Sequence, residues 1–314
     1  LRILALGAGA IGGYFGARLL QAGRNVTFLV RPGRAQVLAE RGLRVLSRIG
    51  EIHWPDPPIL TELAVGRPFD LVLLSCKAYD IDGALDSIAP FVGAETAILP
   101  LLNGTQHLDK LTARFGAQRV LGGLCVISST LSAEGDVLHL NDLHSLVFGE
   151  LDGPPSASIA PIVAALSQAG FDARLSVEIR LEMWEKWVFI AAAAGITCLM
   201  RASVGDIVAA GAADMASRLL DECAGKAAAE GFSPRADFLE RTHTNLTAAG
   251  SPLTASMLRD LEAGGQVEGD AVLGDLLRRA PPDARPSELR AAHLHVKTYE
   301  ARRERASRPI KPST

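Results

Sequence analysis

Three glycines near the amino terminus constrain this chain more than any other feature: Gly7, Gly9 and Gly12, in the stretch LRILALGAGAIGGYFGARLLQAGRNVTFLV. The run that ends at Gly7 has the compact apolar composition of a buried strand. From Ala10 the apolar residues recur at helical intervals until Gly23, a natural residue with which to leave a helix. NVTFLV is β-branched and aromatic, and it stops at Arg31-Pro32-Gly33. The expected order is strand, glycine turn, helix, strand, within about 30 residues. In that setting the G-x-G-x-x-G spacing has a mechanism. Gly7 permits the tight turn, Gly9 lets the backbone approach a pyrophosphate, and Gly12 lets the helix lie close to the sheet. The free N–H groups of the helix then receive the phosphates. A tight strand-to-helix turn that binds nothing would use the same residues, but the complete unit points to a dinucleotide fingerprint.

Arg2 followed by an apolar stretch imitates a secretory signal. Against that stand the glycines inside the would-be hydrophobic region, and an apolar pattern that continues from Tyr14 to Leu20 with no polar cleavage zone. Which dinucleotide is bound depends on the end of the second strand, where NAD-binding proteins usually carry an acid for the ribose 2′-hydroxyl. Here that position is Arg31, with Arg34 three residues on. An arginine suits the 2′-phosphate of NADP by charge and by bidentate hydrogen bonding, although both would also serve as solvated turn residues.

Two further buried runs, FDLVLLSCKAY and TAILPLLNG, read as strands of the same sheet. Ligands of open α/β sheets gather at the carboxyl ends of the strands, and Lys77 and Asn103 stand at such ends. Lys77 can reach a cofactor phosphate, a ribose or a substrate carboxylate. Asn103 offers a donor and an acceptor to ribose or substrate. A surface lysine and an Asn-Gly turn are the plain alternatives.

At 314 residues the chain exceeds what one core usually supports, so two domains are expected. β-rich text between Val120 and Glu150 reads as antiparallel strands that finish the first domain, and DGPPSAS as turn material. After one more helix and strand the pattern turns helical. The expected division is an α/β Rossmann domain over 1–177, an all-helical domain over 178–300 and a mobile basic tail over 301–314. A net charge of −3 gives no general attraction to nucleic acid or anionic lipid. The longest other apolar run, Trp187 to Met200, is short for a bilayer and reads as a buried helix. Cys76, Cys125, Cys198 and Cys223 are scattered, with no C-x-x-C pair for a metal, and read as reduced core thiols of a cytoplasmic protein.

In the helical half, RLEMWEKWVFIAAAAG places Lys186 between Trp184 and Trp187, with Glu182 and Ile190 one turn to either side. A lysine flanked by large apolar residues is poised for partial desolvation. An amphipathic helix whose lysine snorkels to water would show the same pattern.

These pieces together resemble the ketopantoate reductase (2-dehydropantoate 2-reductase) family over nearly the whole chain. The matching residues are GAGAIGGYFGARL, Arg31, CKAYD with Lys77, LLNG with Asn103, the MWEKW helix, and TASMLRDLEAGGQVEGDAVLG. The resemblance implies that Lys186 is the general acid, and that Ser256 and Glu268 bind substrate and complete the site. The chemistry suits them. A carbonyl oxygen that gathers charge as hydride arrives needs a cation and then a proton, and Glu268, in the first turn of a helix after Gly264-Gly265, can favour the protonated lysine or hold a substrate hydroxyl. The chain departs from the family at Ile190, where many relatives carry asparagine and where an apolar pocket wall is expected, and at HLNDLHS, which lacks a common glycine-rich pattern. The implied function is NADPH-dependent reduction of a 2-oxo acid, first of all 2-dehydropantoate to (R)-pantoate in pantothenate biosynthesis. A more apolar 2-oxo acid and a catalytically weak NADP-binding sensor stand as alternatives. The implied partner is the small-molecule 2-oxo acid, with no nucleic acid and no membrane; a homodimer is left open.

Overall fold

Residues 1–61, 67–279 and 287–307 are described by a computed structural model of the chain. The strands among the described residues are β1 (Arg2–Leu6), β2 (Asn25–Leu29), β3 (Leu43–Leu46), β4 (Ile52–Trp54), β5 (Ile59–Leu60), β6 (Phe69–Leu74), β7 (Val92–Pro100), β8 (Leu121–Leu131), β9 (Val137–Glu150) and β10 (Asp172–Leu175). The helices among them are α1 (Ala10–Gln21), α2 (Pro32–Arg41), α3 (Ile81–Ile88), α4 (Gln106–Phe115) and α5 (Ala160–Leu166). The first sheet has the order β5-β2-β1-β6-β7, with all its neighbours parallel. Strands buried on both faces need continuous apolar text, which is what RILAL and FDLVLL supply. Alternation sends Ile3, Ala5, Leu71 and Leu73 into a core shared with Tyr14 and Phe15 of α1. Leu4, Val72 and Leu74 enter a second core with Leu85 and Ile88 of α3 and Leu111 of α4.

A second sheet has the order β10-β9-β3-β4, with β8 antiparallel to β9. The β8–β9 ladder carries Ile127 opposite His144 and Ser129 opposite His139, so Leu140–Leu143 bulge out opposite Ser128. The unusual HLNDLHS stretch is therefore a bulge, with Leu140 and Leu143 exposed. The rings on either side of it turn inward. His139 Nδ1 hydrogen-bonds Ser47 Oγ at 2.9 Å, and His144 Nδ1 hydrogen-bonds the buried Tyr14 hydroxyl at 2.9 Å.

The remaining helices are α6 (Ile179–Met200), α7 (Val204–Ala209), α8 (Ala213–Ala229), α9 (Ala236–Leu246), α10 (Ser256–Glu262), α11 (Asp275–Arg278) and α12 (Glu288–Ser307), with a π-helical turn at Asp270–Gly274. The compact units by packing are Leu1–Met183 and Trp184–Thr314, which divide inside α6, a few residues beyond Val177. Side-chain burial explains the shift: Ile179 and Met183 complete a core of the first unit, whereas Trp184, Trp187, Val188 and Ala191 belong to the core of the second. At 22 residues α6 is longer than its apolar run and is long and apolar enough to cross a membrane, but 72% of its most apolar stretch is buried inside the protein. Residues 301–307, expected within a mobile tail, continue α12, and Arg303 Nε donates to the Gly264 carbonyl at 3.0 Å. Residues 308–314 lie outside the described residues. Cys125, Cys198 and Cys223 are buried thiols outside any disulfide and Cys76 is half-buried; burial pushes the Cys198 thiol up to about 12.

Candidate active site

In the first unit the parallel register brings the carboxyl ends of β1, β2, β6 and β7 to one edge of the sheet, around the point where the strand order reverses at β1. Gly7 follows β1 with φ of +84°, a conformation that side chains rarely adopt, and its N–H donates to the Leu29 carbonyl at 2.8 Å. Gly12 is under the tightest constraint. A Cβ there would sit 2.2 Å from Ser75 Oγ and 2.3 Å from the Gly7 carbonyl oxygen, whereas a Cβ on Gly9 would meet nothing within 4 Å. Helix α1 starts at this turn without a side-chain cap and without an acid in its first turn. An open loop surface and uncapped amides fit a pyrophosphate. Ser75 escapes sequence reading, yet its hydroxyl donates to the Leu6 carbonyl at 2.8 Å and fills the space that Gly12 vacates. The signal for it was its place at the end of β6, two residues before Lys77.

Arg31 follows β2 by two residues and precedes α2. Its guanidinium is 68% exposed and pairs with Asp80, Nη2 to Oδ1 at 3.3 Å. Arg34 is different. It braces the fingerprint loop, donating from Nε to the Ala8 carbonyl at 2.9 Å and from Nη1 to the Gly135 carbonyl at 2.7 Å, and burial lowers its pKa. Lys77 is half-buried and precedes the short turn Ala78–Asp80. Asn103 is half-buried beyond β7, and its carboxamide has no hydrogen-bond partner among the described residues. Two residues on, the buried Thr105 hydroxyl at the start of α4 also lacks one. Gly7, Gly9, Gly12, Arg31, Lys77 and Asn103 thus all lie at the carboxyl edge of the first sheet.

In the second unit Lys186 and Ile190 share a face of α6, four residues apart and both half-buried. The expectation that Trp184 and Trp187 flank the lysine is corrected here. At 100° per residue both tryptophans turn away from it, and both are buried in the helical core, Trp187 donating to the Val272 carbonyl at 2.9 Å. The neighbouring acids do not neutralise Lys186. Glu182 is held by Arg174 and Ser176. Glu185, buried, accepts from the backbone N–H and the Nε of Arg235, each at 2.9 Å, and from Arg235 Nη2 at 2.5 Å. Among the described residues Lys186 has no hydrogen-bond or ion-pair partner.

Ser256 is exposed at the first position of α10, and Ile190 packs against the helical core. Glu268 stands just ahead of the π-helical turn rather than inside a first α-helical turn, its carbonyl accepting from Val272 N–H at 2.9 Å. The segment before it is held by α12: the Tyr299 hydroxyl donates to the Gly265 carbonyl at 2.6 Å, beside the Arg303 contact to Gly264. A Cβ on Gly269 would sit 2.5 Å from Val296 Cγ1, so α12 backs this turn closely. Neither clamp was readable in the sequence: Arg303 falls in the segment expected to be a mobile tail, and Tyr299 reaches a carbonyl 34 residues away.

Comparison with known proteins shows the family. A family model described as ketopantoate reductase PanE/ApbA matches residues 3–153, and its C-terminal companion matches residues 178–283. The chain is 35% identical over 303 residues to the uncharacterized oxidoreductase YkpB of Bacillus subtilis, covering 96% of this chain and 99% of that one. It is 29% identical to the solved 2-dehydropantoate 2-reductase of Geobacter metallireducens, with a TM-score of 0.82 over 98% and 100% of the two chains. D-mandelate dehydrogenase, solved with NADH and anilino(oxo)acetate, shares the fold at 22% identity, with a TM-score of 0.85 over 97% and 100% of the two chains.

Proposed function

Because the chain belongs to the ketopantoate reductase family of NAD(P)-dependent oxidoreductases, we propose that it reduces a 2-oxo acid to the 2-hydroxy acid with NADPH, and that 2-dehydropantoate is the substrate. The observation that carries this reading is Lys186: a half-buried ammonium whose acidic neighbours are already committed to Arg174, Ser176 and Arg235. A cation left without a counter-ion is suited to an anionic substrate and to a carbonyl oxygen that becomes negative. NADPH, when bound, supplies the hydride for the keto carbon. Lys186 stabilises the charge developing on the carbonyl oxygen and gives it a proton. Ser256 donates a hydrogen bond to the substrate, and Glu268 favours the protonated lysine or holds a substrate hydroxyl. Arg31 receives the 2′-phosphate, the Gly7–Gly12 turn receives the pyrophosphate, and Lys77 and Asn103 serve cofactor and substrate at the strand ends.

Ile190 favours a second reading, in which the preferred 2-oxo acid carries an apolar side chain. An isoleucine on the lysine's own helix face offers nothing to a substrate hydroxyl. One experiment tests both: NADPH oxidation followed with 2-dehydropantoate and with branched 2-oxo acids lacking its hydroxyl. Steady consumption with a 2-oxo acid is expected, and the preferred member of the panel decides between the substrates. No consumption with any of them, alongside tight NADPH binding, would replace the enzyme by a sensor.

A further inference from the structure

We infer that Asp80 is a cofactor-specificity residue, holding down the preference for NADPH over NADH that Arg31 alone would confer. This rests on the reading of Arg31 as the receiver of the 2′-phosphate. NAD-binding proteins of this fold place an acid at the end of the second strand, where it accepts a hydrogen bond from the ribose 2′-hydroxyl. Here Arg31 occupies that region, and an acid arrives beside it from another part of the chain. Asp80, at the end of the turn between β6 and α3, brings Oδ1 to 3.3 Å from Arg31 Nη2. The corner therefore holds one cation and one anion. A 2′-phosphate has to draw Arg31 away from the carboxylate and tolerate a like charge next to it. A 2′-hydroxyl meets no such opposition and gains an acceptor.

Arg34 does not resolve the competition. Its Nε and Nη1 are taken by the Ala8 and Gly135 carbonyls, so its guanidinium is fixed and adds the same positive field whichever residue stands at position 80. Both partners of the Arg31–Asp80 pair are solvated, at 68% and 37% exposure, so the carboxylate tunes the preference rather than blocking the phosphate.

Dissociation constants of NADPH and NADH, measured by nicotinamide fluorescence, test the inference on three proteins: the unaltered chain, Asp80→Asn and Arg31→Ala. Asp80→Asn is expected to tighten NADPH by about three- to tenfold while leaving NADH unchanged or weaker. A tightening of NADPH that NADH does not share is something a merely structural aspartate would not produce. If Asp80→Asn weakens both cofactors alike, or leaves their ratio unchanged, while Arg31→Ala selectively weakens NADPH, the inference is overturned and the role of Arg31 stands. If Arg31→Ala weakens both equally, the reading of Arg31 fails and takes the inference with it.

Discussion

Removing the Lys186 ammonium leaves the ion pair between the buried Glu185 and the exposed Arg235 intact, so Lys186→Ala should fold normally. Its turnover should fall by about 10² to 10⁴, the range for a positioned general acid, with the NADPH dissociation constant nearly unchanged. A variant that kept more than about half of the turnover, with chemistry rate-limiting, would take Lys186 out of the mechanism. Ile190 poses the opposite question, since its side chain packs on the helical core while sharing the lysine's face. In Ile190→Asn a carboxamide becomes available to a substrate hydroxyl that otherwise goes unmatched, at a cost of about 1 to 3 kcal/mol. kcat/KM for 2-dehydropantoate, relative to an analogue without the hydroxyl, should then rise about tenfold. The thermal midpoint drops in parallel, because packing is lost. A lower midpoint with an unchanged ratio would mark position 190 as core only.

The fingerprint turn separates two uses of glycine within one element. Gly9→Ala adds a methyl group where nothing lies within 4 Å, so the fold should keep its stability while NADPH and NADH both bind more weakly, the methyl standing where the pyrophosphate approaches. Gly12→Ala drives a methyl group against the Gly7 carbonyl as well as Ser75, and backbone cannot step aside as a flexible side chain can. It should lose cofactor binding and about 1 to 3 kcal/mol or more of stability together. Thermal midpoints and dissociation constants of the two variants check this; equal stability loss in both would contradict the open surface at Gly9. This element was legible beforehand, since turn, helix and flanking strands are specified by residues close in sequence. Ser75, which completes it, follows β6 and was not.

At the scale of the molecule, each unit has a core of its own, and each holds a histidine whose pKa is lowered, chiefly by burial. In the first unit this is His144, on which the Arg18 and His139 charges act in the same sense and Asp172 in the opposite one. In the second it is His295, with Arg201 acting alongside burial, and its Nε2 has no hydrogen-bond partner among the described residues. A depressed histidine pKa means that the unfolded chain takes up the proton first. The stabilisation is therefore complete above the unfolded value of about 6.5 and is lost as pH falls through it toward the folded values. The thermal midpoint should be flat above about pH 7.5 and decline from about pH 6.5 downward. His144→Gln, which keeps an acceptor for the Tyr14 hydroxyl, should lessen that decline. A midpoint that rose between pH 7 and pH 5.5 would contradict the assignment.

Short-range patterns determined the Rossmann unit around Gly7, Gly9 and Gly12, the strand ends at Lys77 and Asn103, the helical second half and the lysine on α6, because each depends on residues within a few turns of one another. Tertiary structure alone decided which charges are already spent. Glu185 finds Arg235 fifty residues away, Asp80 reaches Arg31 from the turn after β6, and Arg34 is diverted to two carbonyls. It also decided that the core of the first unit extends to Met183 and that Arg303 fastens α12 to the segment before Glu268. Helical and strand periodicity record which face of an element is apolar. The partner that a charged group meets depends on the strand order and on which helix packs behind it, and no local pattern carries that information.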